Sequence, residues 1–383
     1  MRDFDQMNTL DLSNNGIIEV QSNAFLACPK LSILNLSYNH LRTLYKGTFA
    51  NQVKEALEGK GYDRVDLSAV KRSLCSLNLS YNQLQSIGKE TMRDFDQMNT
   101  LDLSNNGIIE VQSNAFLACP KLSILNLSYN HLRTLYKGTF ANQESYENLC
   151  LAHNAIVGLD ADTFGVDNVQ HLDLSNNELK KVPQHALASI RNSIATLNLK
   201  GNRIHSLDVL DFNGMNNLSE LILADNHIET IEEAAFASMP KLMKLDLSHN
   251  PVVSWNPHAF KESYENLCLA HNAIVGLDAD TFGVDNVQHL DLSNNELKKV
   301  PQHALASIRN SIATLNLKGN RIHSLDVLDF NGMNNLSELI LADNHIETIE
   351  EAAFASMPKL MKLDLSHNPV VSWNPHAFKV SNT

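Results

Sequence analysis

The sequence predicts an α/β solenoid: a right-handed superhelix with a parallel sheet on its concave side and irregular structure on its convex side. Two observations predict it. A short template of apolar residues and asparagine recurs along nearly the whole chain, and its copies lie mostly 24 residues apart. A copy of that length cannot bury its own leucines, so neighbouring copies must stack and share a core.

The clearest copy reads Leu122-x-x-Leu125-x-Leu127-x-x-Asn130-x-Leu132. Its first slot is filled in turn by Met7, Leu31, Leu74, Met98, Leu122, Tyr146, Val169, Ile194, Leu218 and Leu242. It continues through Tyr264, Val287, Ile312, Leu336 and Leu360, giving fifteen units. Alternation within Leu125-x-Leu127 is the period of a strand with one face buried. The asparagine (Asn15, Asn39, Asn82, Asn106, Asn130 and onward) follows the strand where the chain turns inward. Its amide can satisfy backbone groups of adjacent turns that would otherwise be buried unpaired. A phenylalanine falls eighteen residues after the first slot in most units: Phe25, Phe49, Phe116, Phe140, Phe164, Phe212, Phe236 and Phe260. Stacked rings there would fill the far side of the core.

Bulk composition narrows the function. Hydrophobic residues make up 43% of the 383 residues and charged ones 19%, which is enough apolar material for a sizeable core. The net charge of −13 disfavours a nucleic-acid partner and simple adsorption to anionic lipid. Five cysteines (Cys28, Cys75, Cys119, Cys150, Cys268) without a C-x-x-C pair argue against a zinc ribbon and a dense disulfide framework. The chain carries no apolar run of transmembrane length, and its first residues carry no stretch of signal-peptide length.

Units reading LDLSNN, LNLSYN and LDLSHN, most of them followed by a phenylalanine, resemble extracellular leucine-rich-repeat proteins, most of all the chaoptin-type cell-surface adhesion proteins. Toll-like receptor ectodomains and Slit-type guidance proteins share the repeat. The resemblance covers nearly the whole chain. It implies a horseshoe fold, an extracellular or cell-surface location, and binding of protein ligands, homophilic ones included. The cysteine-rich end caps typical of such relatives are absent from this sequence. Exposed core leucines at both ends are then expected to favour end-to-end association.

Internal identity reveals seams. Residues 1–52 recur unchanged at 92–143, and residues 144–261 recur at 262–379. First slots stay 24 apart across 91/92 and 143/144, but the interval is 43 from Leu31 to Leu74 and 22 from Leu242 to Tyr264. The order 53–91, 92–143, 144–261 is therefore the parental one. Natural duplication, deliberate assembly and a mis-assembled gene are all compatible with it. We expect one array over 1–379, with 53–73 as an inserted loop or seam and 380–383 as a tail. Met1 matches Met92 within the array, so the chain is read as a fragment or a rearranged form.

Catalytic motifs are missing. The sequence has no H-E-x-x-H, Walker loop, G-x-S-x-G elbow or dinucleotide fingerprint, and Gly59-Lys60-Gly61 reads as a flexible loop. One constellation has chemical potential. Aligned strands put Cys150 beside Asp173 and Asn148 beside His171, with His153 near the strand ends. Such a set could hold a metal or support nucleophilic chemistry, but a smooth sheet offers no water-excluding pocket, so a solvated polar surface is the favoured reading. Its copy (Cys268, His289, Asp291) comes from duplication and adds no independent support. No enzyme activity, metal or cofactor is expected.

The column between the strand leucines reads Asp11, Asn35, Asn78, Asp102, Asn126, Cys150, Asp173, Asn198, Ile222 and Asp246. Aspartate and asparagine are common at that position in the resembled repeats, so structure explains most of the column. His171, Asp173, Lys200, Glu220, Lys244 and Asp246 are the candidate partner contacts. Sequons occur at Asn35, Asn78, Asn126, Asn217 and Asn335; the first three lie in the strand motif, so Asn217 and Asn335 are the preferred glycan acceptors. The favoured function is non-enzymatic cell adhesion or surface recognition through the concave face. The alternative is the ectodomain of a Toll-like or other ligand-binding signalling receptor.

Overall fold

A computed structural model describes residues 4, 6–18, 20, 25, 27–42, 73–89, 92, 95–141, 146–255, 260 and 264–378. The inserted stretch at 53–72, Gly59-Lys60-Gly61, Phe49, Met1 and the 380–383 tail lie outside the described residues. The chain divides into two compact units, Met1–Leu179 with Pro183–Leu197, and Lys180–Val182 with Asn198–Thr383.

Each unit is a parallel-strand solenoid. In the first, Thr9–Asp11, Ile33–Asn35, Ser76–Asn78, Thr100–Asp102, Ile124–Asn126, Tyr146–Cys150 and Val169–Asp173 pair in chain order. In the second, the order is Glu220–Ile222, Lys244–Asp246, Tyr264–Cys268, Val287–Asp291, Thr314–Asn316, Glu338–Ile340 and Lys362–Asp364. Register follows the template, with Leu101 opposite Leu125 and Leu221 opposite Leu245. Because successive side chains on a strand point to opposite faces, these leucines enter the core while residues on either side of them face out. Leu101 and Leu103 are fully buried, as are Leu221 and Leu223.

Both irregular joins keep this register. Across the interval of 43 residues, Leu34 still pairs with Leu77, and Asn82 Nδ2 donates to Leu36 O at 3.0 Å. Across the interval of 22, Leu245 pairs with Leu267 and Asp246 with Cys268. The strand register is thus the same across both irregular intervals, whereas a one-residue slip would move the leucines from the core face to the solvent face.

The asparagine works as a clasp between turns. Asn130 Nδ2 donates to Leu127 O and Ser128 O in its own turn and to Leu103 O in the preceding one, at 3.0, 3.2 and 3.0 Å. Its Oδ1 accepts the Ile108 N–H at 3.0 Å. Asn106, Asn226, Asn250 and Asn344 repeat the same set, each buried. The residue just before the clasp takes a left-handed backbone, with φ of 53° at Tyr81, 55° at Tyr129 and 55° at His249.

Across the core, rings stack as the eighteen-residue offset predicts: Phe116–Phe140 at 6.2 Å and Phe140–Phe164 at 6.0 Å, then Phe212–Phe236 and Phe236–Phe260 in the second unit. That side is more regular than the sequence indicated. It carries two-residue parallel strands, for example Ser206–Leu207 with Thr230–Ile231, and two four-residue helices, α1 (Gln184–Leu187) and α2 (Gln302–Leu305). Pro183 and Pro301 start these helices, a position where a missing N–H removes no helical bond.

Candidate functional site

Function must be sought on the outward positions of the strand sheets, because every inward position is committed to packing. In the first unit the register sets Cys150 opposite Asp173 and Asn148 opposite His171. His171 Nδ1 lies 3.0 Å from Thr196 Oγ1. His153 is engaged elsewhere: its ring stacks on Tyr129 with centroids 4.1 Å apart, and its Nε2 lies 3.2 Å from Asn176 Nδ2. Burial raises the Cys150 thiol above its ordinary range, and the Asp173 and Asp102 carboxylates add to the effect. That is the wrong direction for a nucleophile, whose reactive form is the thiolate. Among the described residues no three of His, Cys, Asp and Glu stand where they could hold a metal ion.

The six proposed contact residues divide between the units. His171 and Asp173 are half-buried on the first sheet. Glu220, Lys244 and Asp246 stand together on the second, with Glu220 opposite Lys244 and Ile222 opposite Asp246. Lys200 lies one residue beyond its strand leucine and makes an ion pair with Asp225 at 3.1 Å. Both partners are about half exposed, so the pair adds little stability.

The five sequon asparagines differ in their surroundings. Asn35, Asn78 and Asn126 are half-buried in the sheet and use Oδ1 to accept the N–H of Ser37, Ser80 and Ser128. Asn217 is exposed and accepts from Lys241 Nζ at 2.7 Å. Asn335 accepts from Lys359 Nζ and donates to Asn310 O, both at 2.6 Å.

Two features escaped the sequence reading. The first is a row of outward rings at the left-handed position: Tyr38 on Tyr81 at 4.1 Å, Tyr129 on His153 at 4.1 Å, and His249 on His271 at 4.0 Å, all within 11° of parallel. The signal was the residue before the clasp in S-Y-N, A-H-N and S-H-N, repeating at the same spacing as the leucines. The second is a groove of about 430 Å³ on the second sheet, between Ile222 and Ile340, with Cys268 and Asp291 midway along it.

Comparison with known proteins agrees with this geometry. The family profile described as Leucine rich repeat matches residues 5–54, 96–156, 144–193, 192–252, 263–311 and 310–370. Chaoptin of Drosophila melanogaster is 30% identical over 112 residues, which is 28% of this chain and only 8% of chaoptin. Tsukushi of Gallus gallus is 28% identical over 296 residues, covering 76% of this chain and 68% of Tsukushi. A chain from the structure of the Toll–Spatzle complex, described as a hub in Drosophila development and innate immunity, matches with a TM-score of 0.70 and 25% identity. That match covers 90% of this chain and 48% of the other.

Proposed function

The chain belongs to the leucine-rich-repeat family, and from that premise we propose that the outward face of its strand sheets is a non-enzymatic surface for binding protein in cell adhesion or recognition at the cell surface. The single observation that carries this reading is the placement of variable, charged side chains on an otherwise uniform sheet. Glu220 and Lys244 stand at outward positions where the first unit has Ile33, Ser76 and Thr100. A wide, rigid, patterned surface can bind another protein without a deep pocket, and its specificity comes from such charges.

The likeness to chaoptin and Tsukushi supports an extracellular setting. Within that setting, Asn217 and Asn335 are the glycan acceptors we propose first, with Asn35, Asn78 and Asn126 second, because a glycan on the strand asparagines would occupy the contact surface. A continuous array over 1–379, with its seam at 53–73, belongs to the same reading. Among the described residues no helix is long and apolar enough to cross a membrane.

Cell display tests the proposal. Cells carrying this chain on their surface should aggregate, either with each other (homophilic binding) or with a second cell type. Lys200→Glu, Glu220→Lys and Lys244→Glu, a triple change made also at the copied positions Lys318, Glu338 and Lys362, should abolish aggregation. Absence of aggregation with the unaltered chain, or aggregation unaffected by the triple change, would count against the surface. The match to a chain of the Toll–Spatzle complex favours a second reading, the ectodomain of a receptor for a soluble protein ligand. Saturable binding of a soluble ligand without cell aggregation would select it.

A further inference from the structure

Resting on the reading of this sheet as a protein-binding surface, we propose that the groove of the second unit takes an extended peptide segment with a lysine or arginine set between two apolar side chains.

The groove crosses the strands from Glu220–Ile222 to Glu338–Ile340. Along its floor the register aligns Ile222, Asp246, Cys268, Asp291, Asn316 and Ile340. Its two ends are apolar and its centre is acidic. Five strand steps of ~4.8 Å separate the isoleucines, about 24 Å, which an extended peptide at ~3.4 Å per residue spans with about seven residues. The occupant's end side chains then meet Ile222 and Ile340, and its central side chain meets Asp246 and Asp291.

Charge fixes the chemistry of that central side chain. Glu220, Glu338, Asp246 and Asp291 line the groove; Lys244 stands in register with Glu220 and Lys362 pairs with Glu338 at 3.6 Å, so Asp246 and Asp291 are the carboxylates left for a ligand's cation. Asp246 and Asp291 each accept a backbone N–H through Oδ1, from Ser248 and Ser293, so they are held in place before any ligand arrives. Between them the Cys268 thiol is pushed up to about 11 by burial and by the same two carboxylates, and it stays neutral. An acidic or phosphorylated segment would set its charge against both aspartates, whereas a cation gains from both.

The first unit provides an internal comparison. There Cys150 lies between Asn126 and Asp173, and Ile124 stands where Lys244 does. One of the two central carboxylates is therefore missing. Asn126 Oδ1 accepts the Ser128 N–H at 3.0 Å as Asp246 accepts that of Ser248, so Asp246→Asn keeps the local fold and removes the charge.

The test uses the full chain and a blocked, fluorescein-labelled peptide with leucine at each end, lysine at its centre and serines between. The comparator carries glutamate at its centre. Fluorescence anisotropy at low ionic strength should show binding of the lysine peptide and a large loss for the glutamate peptide. Asp246→Asn with Asp291→Asn should weaken the lysine peptide about tenfold, the sum expected of two half-exposed charge pairs. Ile222→Ser with Ile340→Ser should weaken both peptides. No binding of the lysine peptide, equal affinity for the two peptides, or an unchanged affinity in the double aspartate variant overturns the proposal. Cell aggregation measured in parallel separates the two readings. Aggregation that persists while the peptide fails to bind removes the groove assignment alone; peptide binding without aggregation removes the adhesion reading and leaves the groove.

Discussion

Asn130 shows what one side chain does in this architecture. Its amide engages three carbonyls and one N–H, all buried, and two of those four partners belong to the preceding turn. Replacing it with alanine leaves the buried Ile108 N–H without its acceptor, at ~1–3 kcal/mol. It also takes one donor each from Leu103 O, Ser128 O and Leu127 O, which keep Asn106 Nδ2, the Asn105 N–H and Asn154 Nδ2. We expect Asn130→Ala to lower the urea midpoint sharply and Asn130→Asp to do nearly as much harm, because a carboxylate cannot donate. A midpoint unchanged by either substitution would contradict the clasp. Asp329 makes a second residue-scale prediction. Burial pushes its carboxyl up to about 6 from 3.8, and Asp326 and Glu350 push the same way; Lys299 and the Asp326 N–H oppose them. Asp211 stands in the same setting, also at about 6. A folded-state value above the unfolded one means the folded form holds the proton more tightly. The contribution to stability is then fully present below about pH 4 and is lost as pH rises through about 6. Asp211→Asn with Asp329→Asn should flatten the pH dependence of the melting temperature in that window; a slope that survives both changes would show that other groups cause it.

At the scale of the element, identical sequence meets unequal surroundings. Leu245 and Leu363 occupy equivalent places in the two copies of one block, yet Leu245 is buried and Leu363 half-buried, because Leu245 has a strand on both sides. Leu245→Ala should cost ~2–5 kcal/mol, as a fully enclosed leucine does, and Leu363→Ala distinctly less. Equal losses in urea titrations would mean that the next turn adds nothing to burial. Strands, clasp and ring stack were all legible in the sequence, since each needs a fixed residue type at a fixed spacing. Tyr129 and His153 were harder to read. Their position asks only for a left-handed backbone, which asparagine, aspartate, tyrosine, histidine and glycine all fill along the chain, so no single letter repeats. The groove was harder still: Ile222 and Ile340 lie in different copies, and only the register shows what stands between them.

For the molecule as a whole, each turn touches little beyond its two neighbours, so damage should remain local. Leu77 is 1% exposed and lies outside both duplicated blocks. Leu77→Ala should accelerate hydrogen exchange in its own turn and the adjacent ones while leaving 287–378 unaltered. Peptides from 144–261 and 262–379 share their masses and report together, which does no harm because neither copy adjoins the turn of Leu77. Peptides from 1–52 and 92–143 also report together, and these blocks supply the two strands that pair with that of Leu77. Accelerated exchange in every peptide would show that the turns unfold as one cooperative body.

One seating in the second unit has a wider consequence. The strand Tyr264–Cys268 rests on Lys244–Asp246, whereas its twin Tyr146–Cys150 rests on Ile124–Asn126, and both fit. What makes two coils compatible is thus a short internal grammar of leucine, asparagine and phenylalanine, blind to what each displays outside. Whole coils can be transposed without renegotiating the interior. Every transposition brings a new pair of exteriors together, so a lineage built this way can gain new recognition chemistry by recombination alone.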